Sequence, residues 1–340
     1  MFVTQSFSSL IENNNSALNN TSSDLLNGLK VFHNNQWYIC GNLALNEGQS
    51  PHKLLNSSPN DLDYQLLVKA AMLLVTEDVD QPVTITMGFP YATYRIYKDI
   101  AIEQIKKTHV IEYDSATFGG NGKRTAMFDV KNVDVIPEIV ACSIALRKGE
   151  EKAQGNFFIL SCGFGTFESV LSMDSGVVEQ SMISTHGLRY AINYMINELS
   201  KTHYLELRTA HTLDDAFQKR DICTLIRKNV DVREIRKNAL KSYYNEVISP
   251  NLRNVINDRN LMKTNKIYLC GGGMYYQDLI DCFKAEFGEI AQLEIVSDPA
   301  ALASKGYALN SLRVSGGVEK SSIGIDIGNS TTVVTRFAGE

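Results

Sequence analysis

The sequence has no hydrophobic run that approaches the roughly 20 apolar residues needed to cross a bilayer. Its beginning, MFVTQSFSSLIENNN, lacks the basic start and apolar core of a secretory signal, so we expect a cytoplasmic protein with no membrane partner. Basic residues are not in excess, because 33 Lys and Arg against 38 Asp and Glu give a net charge of −5. Direct contact with nucleic acid is therefore not expected, since neutralising phosphates needs a basic surface.

The six cysteines form no CxxC pair, and the six histidines show no metal-ligand spacing. Several cysteines lie inside apolar runs, which favours buried free thiols over a disulfide or zinc framework.

The composition is that of an ordinary globular protein, with 44% hydrophobic and 21% charged residues. A chain of 340 residues is longer than one core usually serves, so we expect two domains.

The clearest local pattern lies at the end of the sequence, in SSIGIDIGNSTTVVTRFAGE. Alternating isoleucines from Ile323 to Ile327 predict a strand, and the β-branched run Thr331–Thr335 predicts a return strand. The small polar turn between them can direct backbone N–H groups and hydroxyls at one point, which is typical of a phosphate site, although ordinary hairpins share this pattern. Asp326 lies where a carboxylate can hold a divalent cation beside the phosphates. The candidate turn residues are Gly328, Asn329, Ser330 and Thr331.

Two further elements accompany this hairpin. A second strand–turn–strand pattern is ILSCGFGTFESVLSM at 159–173, and YLCGGGM at 268–274 places three glycines between a buried strand and a helix. Glycine lets the backbone approach a flat base or a sugar closely, and two such hairpins from two domains can hold a polyphosphate from opposite sides. The candidate binding residues are Gly163, Phe164, Gly165, Thr166, Gly271, Gly272, Gly273 and Met274.

Elsewhere, strands alternate with helices, which implies α/β layers with antiparallel hairpins mixed in. The predicted elements include a hairpin of Leu29–Phe32 and Trp37–Cys40, and helices over Asp61–Val75, Glu138–Arg147, Leu213–Ile256 and Pro299–Leu309.

The two hairpins and the triple glycine resemble the phosphate-1, phosphate-2 and adenosine elements of the actin-like ATPase superfamily. The segment VIPEIVACSIAL at 135–146 resembles the helix that joins the two domains of that family, and the resemblance assigns to Glu138 the orientation of the attacking water. The segments WYICGNLAL, VTITMGFP and DPAALASKGYAL are similar to plasmid-segregation actins of the ParM type and their archaeal relatives.

This resemblance implies a two-domain actin-like α/β fold, an RNase H-like repeat with mixed sheets flanked by helices. Domain I would comprise residues 1–136 and 300–340, and domain II residues 137–299. In the family the phosphate-1 hairpin comes first, whereas here it follows the last helix across SGGVEKSS, as expected of a circular permutation. The N-terminal FVTQSFSSLI then resembles the strand that normally follows that hairpin. Whether the permutation is natural or engineered stays open.

A second departure from the family concerns the metal. The phosphate-2 motif usually begins with Asp, and this chain has Ser161, whose hydroxyl holds a hydrated magnesium ion less firmly than a carboxylate does. Asp326 would then be the main protein carboxylate near the metal. We expect nucleotide binding to survive this change, while the rate of hydrolysis stays open.

The resemblance implies that ATP or GTP binds with Mg²⁺ between the domains, with Asp326 and Glu138 as the catalytic residues and Asp326 as the metal ligand. Closure on nucleotide would favour head-to-tail addition of further copies, which gives a filament. The expected function is therefore a nucleotide-dependent filament, a slow Mg²⁺-dependent ATPase or GTPase, that segregates plasmid DNA through a separate DNA-binding adaptor protein. Two alternatives stay open: a non-polymerising nucleotide-binding scaffold, favoured by Ser161, and a small-molecule kinase of the same fold.

Overall fold

The computed structural model describes residues 1–53, 58–202, 222–225 and 228–338. The chain forms two compact units, one of Met1–Lys152 with Ala303–Glu340 and the other of Ala153–Leu302. Each unit contains its own sheet and its own buried core. The domain boundaries derived from the sequence stay a prediction. Within the described ranges, no helix is both long and apolar enough to span a membrane.

Ten strands build the sheet of the first unit: β1 Phe2–Ser8, β2 Leu10–Asn13, β3 Lys30–His33, β4 Gln36–Cys40, β5 His52–Lys53, β6 Val83–Phe89, β7 Thr108–Asp114, β8 Lys123–Pro137, β16 Ser322–Ile327 and β17 Thr331–Phe337. Their order is β1-β17-β16-β6-β8-β7-β3-β4-β2-β5. Strand β6 runs parallel to β16 and β8, and the other neighbouring pairs are antiparallel. The C-terminal hairpin thus lies between the first strand of the chain and β6.

The two ends of the described chain are neighbours in this sheet. Strand β1 pairs with β17 from Phe2 opposite Phe337 to Ser8 opposite Thr331. The Ala338 N–H donates to the Met1 carbonyl oxygen at 2.8 Å. The prediction of a strand in FVTQSFSSLI is therefore confirmed for β1, whereas its place after a phosphate-1 hairpin in a permuted order stays a prediction.

Helices of the first unit follow the apolar periodicity of the sequence. The helix over Leu62–Val75 confirms the predicted segment and buries Leu66, Leu67 and Leu73 in the core of the unit. The predicted hairpin of β3 and β4 is also confirmed, and Asn34 and Asn35 between its strands both have positive φ, which suits a two-residue turn. The helices are α1 Gly41–Glu47, α2 Leu62–Val75, α3 Tyr91–Ile105, α4 Glu138–Lys148 and α10 Leu302–Val314. The first residue of α10, Leu302, belongs to the second unit.

The second unit contains a five-stranded sheet in the order β11-β10-β9-β14-β15. The antiparallel part is a meander of β9, β10 and β11, and β14 runs parallel to both β9 and β15. These strands are β9 Phe157–Cys162, β10 Thr166–Met173, β11 Gly176–His186, β14 Lys266–Cys270 and β15 Gln292–Ile295. The helices are α5 Arg189–Ser200, α6 Arg233–Tyr243, α7 Ser249–Val255, α8 Asp258–Leu261 and α9 Gln277–Phe287, with a π-helical turn over Tyr244–Ile248.

Two predicted helices need correction. The prediction of helix over Leu213–Ile256 is wrong where a small hairpin forms, with β12 Ile222–Leu225 paired to β13 Lys228–Asp231, and helix begins only at Arg233. The β-branched residues of this segment suit paired strands better than a helix. The part before Ile222 lies outside the described residues. The helix predicted from Pro299 begins instead at Leu302 and continues to Val314.

The cysteine prediction is confirmed for the described thiols. Cys40, Cys142, Cys162 and Cys270 are buried and free, and Cys282 is free and partly buried.

Candidate functional site

The turn between β16 and β17 closes the way the sequence pattern predicts. Asp326 and Ile327 pair with Val333 and Thr332 across the hairpin, and the Gly328 N–H donates to the Thr331 carbonyl oxygen at 3.1 Å. A Cβ on Gly328 would lie 2.7 Å from that same oxygen, so the tight closure of the turn requires glycine there. The four predicted turn residues are therefore together, directly after the strand that carries Asp326.

Residues that sequence reasoning missed hold this turn in place. The Ser9 N–H donates to the Ser330 carbonyl oxygen at 2.9 Å, and the Ser9 hydroxyl donates to the Gly328 carbonyl oxygen at 2.6 Å. The Lys53 ammonium donates to the Ser330 hydroxyl at 2.9 Å. Ser9 is fully buried and Lys53 nearly so. No local motif marks either residue, because these contacts join segments far apart in the chain.

Asp326 and Glu138 form a pair of interacting carboxyl groups in the first unit. Asp326 lies on β16, and Glu138 is the first residue of α4, which begins directly after Pro137. Burial raises the pKa of Glu138, and burial together with the negative charge of Glu138 raises the pKa of Asp326 well above its usual value. Burial and then the charge of Asp326 also raise the pKa of Tyr64. Two carboxyls that repel each other in this way favour a bound cation or a shared proton.

This pair fits a magnesium ion of the kind that nucleotides bring. Mg²⁺ is usually held by one or two carboxylates, with water and phosphate oxygens completing its coordination. In the part of the chain that the structure describes, no cluster of three or more His, Cys, Asp or Glu side chains has the geometry to hold a metal by itself. Asp326 and Glu138 therefore suit a cation that arrives with a phosphate ligand better than a permanently bound structural metal.

The second unit contains the other predicted turn, between β9 and β10. The Gly163 N–H donates to the Thr166 carbonyl oxygen at 2.9 Å, which closes the turn. The carbonyl oxygens of Gly163 and Phe164 accept from the N–H groups of Leu188 and Arg189 at 3.0 and 2.9 Å, at the start of α5. In a trans peptide, the C=O and the N–H of one peptide unit point in opposite directions. The N–H groups of Phe164 and Gly165 are therefore directed away from α5, to the other side of the turn, where they can bind an anion.

Gly187 is a second residue that sequence reasoning missed. Its N–H donates to the Gly165 carbonyl oxygen at 3.0 Å, and a Cβ there would lie 2.5 Å from the Thr166 nitrogen and 2.6 Å from the Gly163 carbonyl oxygen. Any side chain at Gly187 would thus displace the predicted phosphate-2 turn. A glycine between the end of β11 and the start of α5 was the available signal in the sequence.

The triple glycine packs directly against the end of β9. Gly271 has φ of +84°, and a Cβ there would lie 2.4 Å from the Cys162 carbonyl oxygen. A Cβ on Gly273 would lie 2.5 Å from the Cys162 sulfur, whereas Gly272 faces open space. Met274 is buried at the end of this loop. The structure therefore places the predicted adenosine element beside the predicted phosphate-2 turn within the second unit.

Ser161 has a buried carboxyl group as its neighbour. Glu168 on β10 lies directly opposite Ser161 on β9 in the antiparallel register, and its side chain is 1% exposed. Cross-strand partners project to the same face of a sheet, so Glu168 supplies an acidic group next to the hydroxyl that replaces the usual Asp. Sequence reasoning overlooked this residue, although it follows the phosphate-2 turn directly as the third residue of β10.

Comparisons with known proteins agree with these features. Residues 2–140 match the family described as actin like proteins N terminal domain. No curated protein matches the sequence.

Solved structures match over almost the whole chain. The pCBH ParM non-polymerisable quadruple mutant has a TM-score of 0.70 at 15% identity and covers 92% of this chain and 93% of its own. A 15-stranded ParM filament from Clostridium botulinum has a TM-score of 0.71 at 16% identity, covering 90% and 92%. Ta0583, an archaeal actin homologue, has a TM-score of 0.65 at 18% identity, also covering 90% and 92%. Residues 2–140 thus match an actin-like N-terminal domain, and the chain has the fold of ParM and the archaeal actin homologues, as the sequence predicted.

Proposed function

We propose that this protein binds a purine nucleoside triphosphate with Mg²⁺ and assembles into nucleotide-dependent filaments. The observation that carries the proposal is the carboxyl pair of Asp326 and Glu138, with Asp326 on the strand that leads into a closed turn of small polar residues, in a chain with an actin-like fold. Such a turn suits phosphates and such a pair suits their magnesium ion. An archaeal actin homologue of the same fold, Ta0583, has been solved as a complex with ADP, which supports a nucleotide as the ligand.

The proposed contacts follow the predicted motifs. The backbone of Gly328–Thr331 and of Gly163–Thr166 would bind phosphates, and Gly271–Met274 would lie against the nucleoside. Mg²⁺, when bound, supplies positive charge that neutralises the phosphates. Asp326 would hold that ion, and Glu138, once ionised, would accept a hydrogen bond from water and orient it for attack.

Filament formation is supported by what the protein resembles. A ParM assembly from Clostridium botulinum and Alp12 have been solved as filaments, the latter with a TM-score of 0.54 at 13% identity. A head-to-tail contact between identical copies that does not close into a ring gives such a polymer. From the ParM-type resemblance we further propose that the filament moves plasmid DNA. With a net charge of −5, the chain would reach that DNA through a basic adaptor protein.

The test is light scattering over a range of protein concentrations, with ATP–Mg²⁺, with GTP–Mg²⁺ and without nucleotide, together with phosphate release. We expect scattering above a critical concentration only with nucleotide. The matched control is Asp326→Asn, which removes the metal ligand and should abolish nucleotide-dependent scattering. Phosphate release without scattering would contradict the filament, and the absence of any response to either nucleotide would contradict nucleotide binding.

A non-polymerising nucleotide-binding scaffold is the second candidate, and Ser161 is the observation that favours it. A hydroxyl in place of the usual carboxylate binds the metal ion less tightly. The buried Glu168 opposite Ser161 argues the other way, since it keeps an acidic group at that place. Saturable nucleotide binding without phosphate release or scattering would identify the scaffold.

A further inference from the structure

Tyr243, the last residue of α6, is a buried tyrosine whose hydroxyl reaches the end of β11. Its side chain is fully buried, and its ring stacks on Tyr190 with 5.9 Å between the ring centroids. The hydroxyl donates a hydrogen bond to the carbonyl oxygen of His186 at 2.8 Å. His186 is the last residue of β11 and directly precedes Gly187. A π-helical turn begins at the residue after Tyr243, and such turns are frequent at functional sites.

The same hydroxyl lies beside the thiol of Cys162, with 3.8 Å between the oxygen and the sulfur. A tyrosine hydroxyl has one hydrogen, which the His186 carbonyl oxygen accepts, so the thiol is the donor in this second contact. Burial and then the neighbouring Cys162 raise the pKa of Tyr243 well above its usual value, which keeps the hydroxyl protonated. Cys162 is the last residue of β9 and directly precedes Gly163. The hydroxyl therefore contacts both chain segments that meet at the Gly163–Thr166 turn.

The peptide unit between His186 and Gly187 connects this hydroxyl to the turn. Its C=O accepts from Tyr243, and its N–H donates to the Gly165 carbonyl oxygen at 3.0 Å. The C=O and the N–H of one trans peptide unit point in opposite directions, so a hydrogen bond that fixes the carbonyl also fixes the N–H. Hydrogen bonds in such a series polarise and strengthen one another. The hydroxyl of Tyr243 thus helps to fix the backbone in the middle of the turn.

We propose that Tyr243 is a positioning residue of the nucleotide site. Through its hydroxyl it holds the Gly163–Thr166 turn in the arrangement that binds the phosphates of a purine nucleoside triphosphate. The inference rests on the proposed function, because it requires that this turn binds phosphate. A turn that is not held occupies the binding arrangement for only part of the time, and the apparent affinity falls by that fraction. The partners of the hydroxyl lie 57 and 81 positions away, so no local motif marks this role.

The first test compares nucleotide affinity by titration calorimetry for the wild type, Tyr243→Phe and Tyr190→Phe. Tyr243→Phe keeps the buried ring and removes only the hydroxyl. Tyr190→Phe is the matched control, because it removes the hydroxyl of the stacked tyrosine, which donates to the Glu246 carboxylate at 2.5 Å. With whichever of ATP–Mg²⁺ and GTP–Mg²⁺ the wild type binds, we expect Tyr243→Phe to bind about 3- to 10-fold more weakly, as for one lost hydrogen bond, and Tyr190→Phe to stay within about twofold.

The second test measures amide hydrogen exchange in the nucleotide-free protein, so it does not depend on nucleotide binding. The amides of Gly187, Leu188 and Arg189 all donate to carbonyl oxygens of the turn. We expect these three amides to exchange about 3- to 10-fold faster in Tyr243→Phe than in Tyr190→Phe, because the segment that carries them opens more often. Nucleotide added to the wild type should slow their exchange.

A third variant displaces the turn directly. In Gly187→Ala the added methyl group would lie 2.5 Å from the Thr166 nitrogen, so this variant should lose at least as much affinity as Tyr243→Phe. Wild-type affinity in Gly187→Ala would show that binding does not require a held turn, which overturns the proposal even where Tyr243→Phe fails to fold. Melting temperatures of all variants identify any loss that comes from global unfolding.

The combined results separate a positioning role from a purely structural one. Weaker binding together with faster exchange at the three amides supports the positioning role. Wild-type affinity in Tyr243→Phe, even with a lower melting temperature, would show that the hydroxyl only stabilises the fold. A loss that Tyr190→Phe shares, or weaker binding without faster exchange, would also overturn the proposal. A wild type that binds no purine triphosphate contradicts the proposed function itself, whereas a wild type that binds and a Tyr243→Phe variant that binds equally well contradict this inference alone.

Discussion

The backbones of Gly306 and Ala141 pack directly against each other: a Cβ on Gly306 would lie 1.9 Å from the Ala141 carbonyl oxygen. Helix α10 therefore packs onto the backbone of α4, the helix that begins with Glu138. On another side of α10, a Cβ on Gly324 of β16 would lie 2.1 Å from the Ser304 carbonyl oxygen. Two glycines thus bring α4 and β16 close to α10, and these two elements contribute the carboxyl groups of Glu138 and Asp326.

Substituting Gly306 should separate these elements. We expect Gly306→Ala to lower the free energy of unfolding by about 1–3 kcal/mol, since the added methyl group meets backbone that has no room to move. Urea unfolding followed by circular dichroism measures the loss. Arg313→Ala on the same helix is the matched control, because its side chain is 71% exposed and its ion pair with Asp134 is worth about 1 kcal/mol at most. An unchanged midpoint for Gly306→Ala would disprove the close packing of α10 on α4.

The carboxyl pair should make stability depend on pH. Because the pKa values of Asp326 and Glu138 are raised in the folded protein, the unfolded chain loses these protons first as the pH rises. The pair therefore costs no stability below the ordinary carboxyl pKa of about 4, and its cost grows as the pH rises above that value. Asp326→Asn removes the repulsion, so it should stabilise the nucleotide-free protein by about 1–3 kcal/mol near pH 8 and hardly at all near pH 4.

Melting temperatures of the wild type and Asp326→Asn across this pH range measure the effect. Asp129→Asn, a carboxyl on the same sheet with no role in the site, controls for the loss of one negative charge. A stabilisation by Asp326→Asn that is the same at all pH values would mean that the two carboxyls do not interact. The same variant should lose the extra stability that ATP–Mg²⁺ or GTP–Mg²⁺ gives to the wild type.

Removing the Glu138 carboxylate should separate binding from turnover. In Glu138→Gln the negative charge that is proposed to orient the attacking water is lost, so we expect phosphate release to fall about 100-fold or more. Nucleotide affinity should stay within about threefold, because the proposed phosphate contacts come from the turns, and the proposed filaments should persist longer after assembly. Glu150→Gln, which removes an exposed carboxylate just after the same helix, serves as the control. Turnover that Glu138→Gln leaves unchanged would remove Glu138 from the proposed mechanism.

The sequence predicted those parts of the molecule whose patterns are local. Runs of about ten residues were enough to predict the hairpin of Ser322–Phe337, the strand before Gly163 and the triple glycine. This is because the alternation of apolar and polar residues, and glycines at the ends of strands, are features of single segments. Strand β7 was missed because its residues do not alternate cleanly between apolar and polar: the buried positions include His109 and the exposed positions include Val110. Strand β11 was missed as well. Ser9 and Lys53 escaped notice for a different reason. Their partners lie 319 and 277 residues away, so only the assembled sheet reveals them.

The position of the C-terminal hairpin beside β1 predicts that the chain can be reconnected. Since the Ala338 N–H donates to the Met1 carbonyl oxygen, a short linker can join the two ends, and the chain can be opened between Gly316 and Gly317. Both glycines have positive φ, and a Cβ added at either would have no atom within 4 Å, so other parts of the chain do not pack closely against this loop at these positions. We expect the rearranged chain, which begins with the predicted phosphate-1 hairpin as the resemblance to the actin-like family implies, to melt within a few degrees of the original and to bind nucleotide with similar affinity. Opening the chain instead at Ala308, inside α10, should prevent folding, because that residue is fully buried. Failure of the first variant to fold would argue against a circular permutation.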